Sequence, residues 1–123
     1  MMKDLTKAEE QIMQVLWELK SAFVKDIIAQ LPDPKPAYNT VSTFVRILQQ
    51  KGFVGHESHG KSHKYHPLIT KESYTKSHMK DLVQKYFGGS YKQMVSFFTK
   101  EENLSLTDLE SLIEEMKHKK DDI

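Results

Sequence analysis

Tyr38-Asn39-Thr40-Val41-Ser42-Thr43-Phe44-Val45-Arg46-Ile47-Leu48-Gln49-Gln50-Lys51-Gly52, running on through Phe53-Val54 to His56, His63, Tyr65 and Pro67, decides the fold of this chain. Val41, Phe44, Val45 and Leu48 recur at the spacing of one helical face. Asn39, Thr40, Ser42, Thr43 and Arg46 fall on the other face. A solvated helix usually carries Glu and Lys there; this one carries short hydrogen-bonding groups and one arginine. Such a face can approach base edges closely in a major groove. Arg46 is the strongest single candidate, since a guanidinium can grip guanine with two hydrogen bonds or bind a phosphate. Lys51-Gly52 closes the helix, because glycine accepts a left-handed cap. Phe53-Val54 opens a strand, His59-Gly60-Lys61 forms a hairpin tip, and Ser62 to Pro67 returns with Tyr65 inward. Lys61, Ser62, His63 and Lys64 on that hairpin are placed for phosphate or minor-groove contact. The pattern predicts a winged helix-turn-helix.

Upstream, Thr6-Lys7-Ala8-Glu9 has the form of a capping box. Ala8, Ile12, Val15, Leu16 and Leu19 follow at helical spacing, widened by Met13 and Trp17, which predicts a first helix over about 6–20. Ser21-Ala22-Phe23 reads as an extended link with a small strand at 22–24. A second helix, 24–31, should bury Ile27, Ile28 and Leu31. Pro32, Pro34 and Pro36 stop it, since proline lacks the N–H and pushes its predecessor out of helix. The third helix then spans roughly 37–51.

The second half reads as helical again. A helix from Thr70 to about Phe87 carries Met79, Leu82, Val83 and Tyr86 on one side. Gly88-Gly89 breaks it, and Ser90 caps a shorter helix with Met94, Val95, Phe97 and Phe98. A last helix, from Ser105 or Thr107 to about Lys119, carries Leu106, Leu109, Leu112, Ile113 and Met116. Three short helices with narrow apolar stripes cannot form a core alone, and a second copy of the same segment would cover them. Two winged helices joined by symmetry would also read a palindrome. The expected fold is therefore mainly α with a small β-hairpin. A winged-helix DNA-binding domain occupies 1–70 and a helical dimerisation domain 71–123. The dimerisation residues are Met79, Leu82, Val83, Tyr86, Met94, Val95, Phe98, Leu109, Leu112, Ile113 and Met116.

Bulk properties narrow the class. A chain of 123 residues suits one modest domain or a small domain with an appended module. No apolar run approaches the roughly 20 residues that span a bilayer, and the N-terminus lacks a signal-peptide core, so a cytoplasmic location is expected. The absence of cysteine removes disulfides, thiolate zinc sites and cysteine nucleophiles. Net charge is only +1. The positive excess is local, however: residues 36–66 hold Arg46, Lys51, Lys61 and Lys64 against Glu57 alone. That distribution supports a nucleic-acid partner without announcing one.

Taken in order, these segments resemble the penicillinase-repressor family (BlaI/MecI/CopY type) of bacterial transcription repressors. The resemblance lies in Leu5-Thr6-Lys7-Ala8-Glu9 with Ile12-Met13 and Val15-Leu16-Trp17, and in Thr40-Val41-Ser42-Thr43 with Leu48 and Lys51-Gly52. It continues at Tyr65 in the wing, Gly88-Gly89-Ser90, Met94-Val95, Phe98, Lys100-Glu101 and Leu104. It implies an N-terminal winged helix and a homodimer bound to a dyad-symmetric operator in double-stranded DNA. In the beta-lactam-responsive members it also implies induction through a membrane sensor metalloprotease system, with repressor cleavage between an Asn and a Phe. The corresponding bond here is Phe97-Phe98, with Phe97 in place of the Asn. Copper-responsive members carry a C-terminal cysteine motif, which this chain lacks. Arg46 and Ile47 stand where the best-known members have Thr then Arg, so the operator need not be the same.

Blander readings compete at several positions. Asn39 or Thr40 could serve as a helix cap rather than read bases. His56, His59, His63 and His66 fall close together, but strand alternation separates His56 from His59 and His63 from His66, and no metal or cofactor is expected. No phosphate-cradling loop or nucleophile motif points to an enzyme. The alternative function is a winged-helix protein-interaction module without specific DNA binding, favoured by the near-neutral charge.

Overall fold

In the computed structural model the described residues are 4–101, 105, 107–108, 110–111 and 114–115. Their elements are α1 (Lys7–Leu19), α2 (Val24–Gln30), α3 (Tyr38–Gln50), β1 (Val54–His59), β2 (Ser62–Pro67), α4 (Lys71–Phe87) and α5 (Tyr91–Glu101). The chain divides into two compact units, Met1–Ser77 and His78–Ile123.

Local chemistry sets each boundary in the first unit. The capping box closes on α1: Glu9 N–H donates to Thr6 Oγ1 at 3.2 Å, and Thr6 N–H donates to Glu9 Oε1 at 2.8 Å. At α2 the Asp26 carboxylate accepts from the Phe23 N–H at 3.0 Å, satisfying one of the free donors at a helix start. The N-cap of α3 is Ala37, with no side-chain cap, so Asn39 and Thr40 sit inside the first turn and neither caps it. Lys51 ends α3, and Gly52 follows at φ 84°, where a side chain would be strained.

The core is one cluster. Ile12, Met13 and Leu16 of α1 meet Ile27 of α2 and Val41, Val45 and Leu48 of α3, with Phe53, Val54 and Tyr65 closing from the hairpin. Ile28 and Phe44 are only half-buried and pack on its margin. The hairpin is a two-stranded antiparallel sheet with Val54 opposite Pro67 and His59 opposite Ser62. Its two-residue turn places Gly60 first at φ 63°, the glycine position of a type II′ turn. Ala22 bridges Tyr65 through two backbone hydrogen bonds, of 2.9 and 2.8 Å. The strand expected at 22–24 is thus a single bridge, because Val24 already begins α2.

The first turn of α4 belongs to this core. Trp17 Nε1–H donates to the Ile69 carbonyl at 2.8 Å, and the rings of Trp17 and Phe53 pack on Tyr74 at 5.6 and 5.8 Å. The N-terminal compact unit therefore extends beyond residue 70. Burial, reinforced by the charge and hydrogen bond of Glu10, pushes the Tyr74 phenol above its ordinary value.

In the second unit Val83 is buried within the single chain, so it is an internal packing residue rather than part of an open face. Gly88 and Gly89 turn the chain at positive φ, and Ser90 Oγ accepts the Gln93 N–H to start α5. Phe97 packs against Phe87 at 5.8 Å and Phe98 at 5.7 Å. Beyond α5, Ser105 and Asp108 exchange reciprocal side-chain bonds to backbone N–H groups. The expected apolar stripe of Leu106, Leu109, Leu112, Ile113 and Met116 lies outside the described residues.

Candidate nucleic-acid interface

Burying Val41, Val45 and Leu48 turns the opposite side of α3 to solvent. Asn39, Thr40, Thr43 and Arg46 are exposed there, and Ser42 is half-buried at the edge. Thr43 Oγ1 donates to the Asn39 carbonyl at 2.8 Å. Its proton is thereby committed within the helix, leaving its methyl group and lone pairs for an approaching partner.

Between α3 and the hairpin runs a cleft of about 730 Å³. Asn39, Ser42 and Arg46 line it from α3, and Lys61, Ser62 and His63 line it from the hairpin. Sequence reasoning placed these six in one functional surface, and the fold brings them to one cleft. Thr40 and Thr43 stay outside it on the open face of α3. Lys64 is separated from its neighbours: it alternates to the other side of β2, where its ammonium lies 5.8 Å from the Phe23 ring centroid. No carboxylate lines the cleft, whereas Lys25, Arg46 and Lys61 do. The lining therefore favours an anionic occupant.

Other cleft residues escaped the sequence reading. Gln49 and His56 are joined at 2.6 Å between Nε2 and Nδ1, and Tyr38 flanks them. Gln49 lies three residues after Arg46, a helical neighbour that periodicity could have supplied. His56 carried no such signal, since its position depends on strand register. The strands place His56 opposite Tyr65 and Ser58 opposite His63, so the His56 and His63 rings meet edge to face at 4.3 Å. His66 lies on the other side by the same alternation, whereas His59, next to the turn, borders the cleft. Burial pushes the Tyr65 phenol above its ordinary value, with the Arg46 guanidinium opposing and Tyr38 adding to the rise. Among the described residues, no three His, Asp or Glu side chains gather in metal-holding range.

A latch fixes α3 from behind. Glu9, buried on α1, pairs with Lys51 at 2.8 Å, and Lys51 also donates to the Asp4 carbonyl at 3.1 Å. Burial by itself would raise the Glu9 carboxyl. The bonds from Lys51 and Thr6 outweigh it and hold the group below its ordinary value.

The model of the Penicillinase repressor family matches residues 5–118. This chain belongs to that family. Relatives within it include the methicillin resistance regulatory protein MecI of Staphylococcus aureus strain N315, 26% identical over 110 residues and covering 89% of each chain. The penicillinase repressor of Bacillus licheniformis is 25% identical over 120 residues, covering 94% of each chain. Among solved structures, the DNA-binding domain of the repressor BlaI matches at TM-score 0.52 with 25% identity, over 60% of this chain and 92% of that one. The monomeric form of Bacillus licheniformis BlaI in complex with the blaP half-operator matches at TM-score 0.50 with 25% identity and the same coverage. These likenesses agree with the winged-helix architecture of the first unit. No helix among the described residues is long and apolar enough to cross a membrane.

Proposed function

We propose that this chain is a sequence-specific DNA-binding transcription repressor that acts as a homodimer on a dyad-symmetric operator. The observation that carries the reading is the exposed face of α3, with its small polar groups and Arg46, set beside a cleft lined by cations and no carboxylate. Family membership and the half-operator complex of BlaI support it. In this reading α3 enters the major groove and the hairpin meets the backbone. Arg46 and the small side chains of α3 read bases, while Lys61, Ser62, His63 and, from the outer side, Lys64 contact phosphate.

Support for the dimer comes from the second unit. Tyr86 is 67% exposed, Phe97 50% and Phe98 41%, with Tyr91 and Val95 also exposed. A second copy meeting these side chains would remove apolar surface from water and hold two readers at half-site spacing. Relief of repression follows the family pattern in this reading, by cleavage at Phe97-Phe98 under control of a membrane sensor metalloprotease system. That bond lies within α5, so a protease would act only after local unwinding.

A gel-shift titration of the purified chain against its own upstream region tests the reading. A salt-sensitive, sequence-dependent complex is the expected result; its absence refutes the proposal. Arg46→Ala should cost ~1–3 kcal/mol of binding while leaving the dimer intact. DNA behaviour unaltered by Arg46→Ala and Lys64→Ala would favour a protein-interaction module instead.

A further inference from the structure

Building on the proposed DNA-binding function, we propose that the cleft between α3 and the hairpin is a phosphodiester-binding site in which the His56–His63 pair takes up a proton as the DNA backbone enters. The argument starts from register. The two-residue turn at Gly60-Lys61 sets the strands so that these imidazoles, seven positions apart, share the face turned to α3 with ring centroids 4.3 Å apart. Gln49 Nε2–H donates to His56 Nδ1 at 2.6 Å, which fixes that ring beside the groove of α3. The bond occupies the nitrogen that would be protonated, leaving His63 as the ring of the pair that takes up the proton. Both histidines line the cleft and both are exposed, so an entering anion can reach them.

The surroundings define the occupant. Facing the pair are Lys25 from α2, Tyr38 and Arg46 from α3, His59 from β1, and Lys61 and Tyr65 from the turn and β2. Glu57, the nearest acid in sequence, does not line the cleft; its carboxylate lies 3.7 Å from the ring of His59 at the cleft's border. No carboxylate is therefore present in the cleft to neutralise a charged imidazole. A phosphate supplies that negative charge itself, and an opposite charge at close range favours the protonated ring. Imidazole is the side-chain type that changes charge between pH 5 and 8, so that is the range in which the coupling is to be measured. Two rings in contact repel one another when both are charged, so the pair takes up one proton rather than two.

The consequence is a DNA affinity that weakens as pH rises. One linked proton per wing gives a loss of up to about tenfold per pH unit for each wing bound. Fluorescence anisotropy with the full chain and a labelled duplex from its own upstream region, at constant salt from pH 6 to 8, measures this directly. Wild-type and His66→Gln, which changes the opposite face of the hairpin, should share the slope. His56→Gln/His63→Gln should bind more weakly than wild type at pH 6 and with a flattened slope across the range. Calorimetry in buffers of different ionisation enthalpy should show proton uptake for the wild type and not for the double variant. Inorganic phosphate, added at fixed ionic strength, separates a free anion from the duplex backbone: strong competition would assign the cleft to free phosphate and overturn its role in DNA contact. Equal slopes in wild type and double variant overturn the proton linkage alone. Absence of any sequence-dependent complex at every pH overturns the functional reading and this inference together.

Discussion

Glu9 and Lys51 show how one ionic contact positions a reading surface it never touches. The carboxylate is buried at the start of α1 and the ammonium reaches it from the end of α3. A buried charge left without its partner is costly, so Lys51→Met should lose roughly 2–3 kcal/mol in urea unfolding at pH 7. The pH dependence has a definite sign. The folded-state carboxyl titrates below its ordinary 4.5, so the unfolded chain binds the proton more readily. The contribution of the pair is therefore complete above pH 4.5 and disappears as pH falls through the lower folded-state value. Wild-type stability should decline on acidification from pH 5 to 3, and the Lys51→Met variant should decline less. Neither partner's role was legible in the sequence beyond the capping box. The contact joins positions far apart in the chain, and periodicity carries no information about which charged residue is sealed inside.

At the level of elements, boundaries set by local bonds were the easiest to read and contacts set by register the hardest. The capping box at Thr6, the stop at Lys51-Gly52 and the break at Gly88-Gly89 depend on nearby residues, and the structure shows each where the pattern places it. Gly52 sits at φ 84° with open space around the position a Cβ would occupy. Gly52→Ala should thus cost only the conformational penalty, about 1–2 kcal/mol, visible as a lowered Tm with unchanged secondary structure. The meeting of His56 with His63, and the departure of Lys64 from the cleft, follow from the strand pairing. A list of basic residues in a hairpin does not reveal them. Tyr74 was hidden for another reason: the helical pattern continues smoothly through α4, so nothing marks its first turn as part of the winged-helix core. A fragment ending at residue 70 should melt well below one ending at residue 80. Tyr74→Ala in the intact chain should cost on the order of 3 kcal/mol, as large aromatic truncations in cores do.

For the molecule as a whole, operator affinity depends in the proposed reading on pairing two chains. Each winged helix covers a short half-site, and joining two converts the second contact into an intramolecular one. Phe98→Asp places a charge among exposed apolar side chains of the second unit. Analytical ultracentrifugation should find this variant monomeric at micromolar concentration, with far-UV circular dichroism of the winged helix preserved. Its affinity for a full palindrome should fall on the order of 10²–10⁴-fold while half-site binding is retained. A variant that remains dimeric with full affinity would remove Phe98 from the interface. Val83→Ala makes a useful contrast, because Val83 is buried within one chain. It should lower stability with little effect on the monomer–dimer equilibrium.

The hydrogen bond from Trp17 to the Ile69 carbonyl gives the protein a built-in optical gauge. Trp17 is the chain's single tryptophan, and its indole lies half-buried against Tyr74. Intrinsic emission excited at the red edge therefore comes from one seam, where the first helix meets the start of α4. Detachment of that seam would shift the emission toward longer wavelengths as water reaches the indole. Filling the cleft with a duplex would leave the colour almost unaltered, since Trp17 is not among the residues that line it.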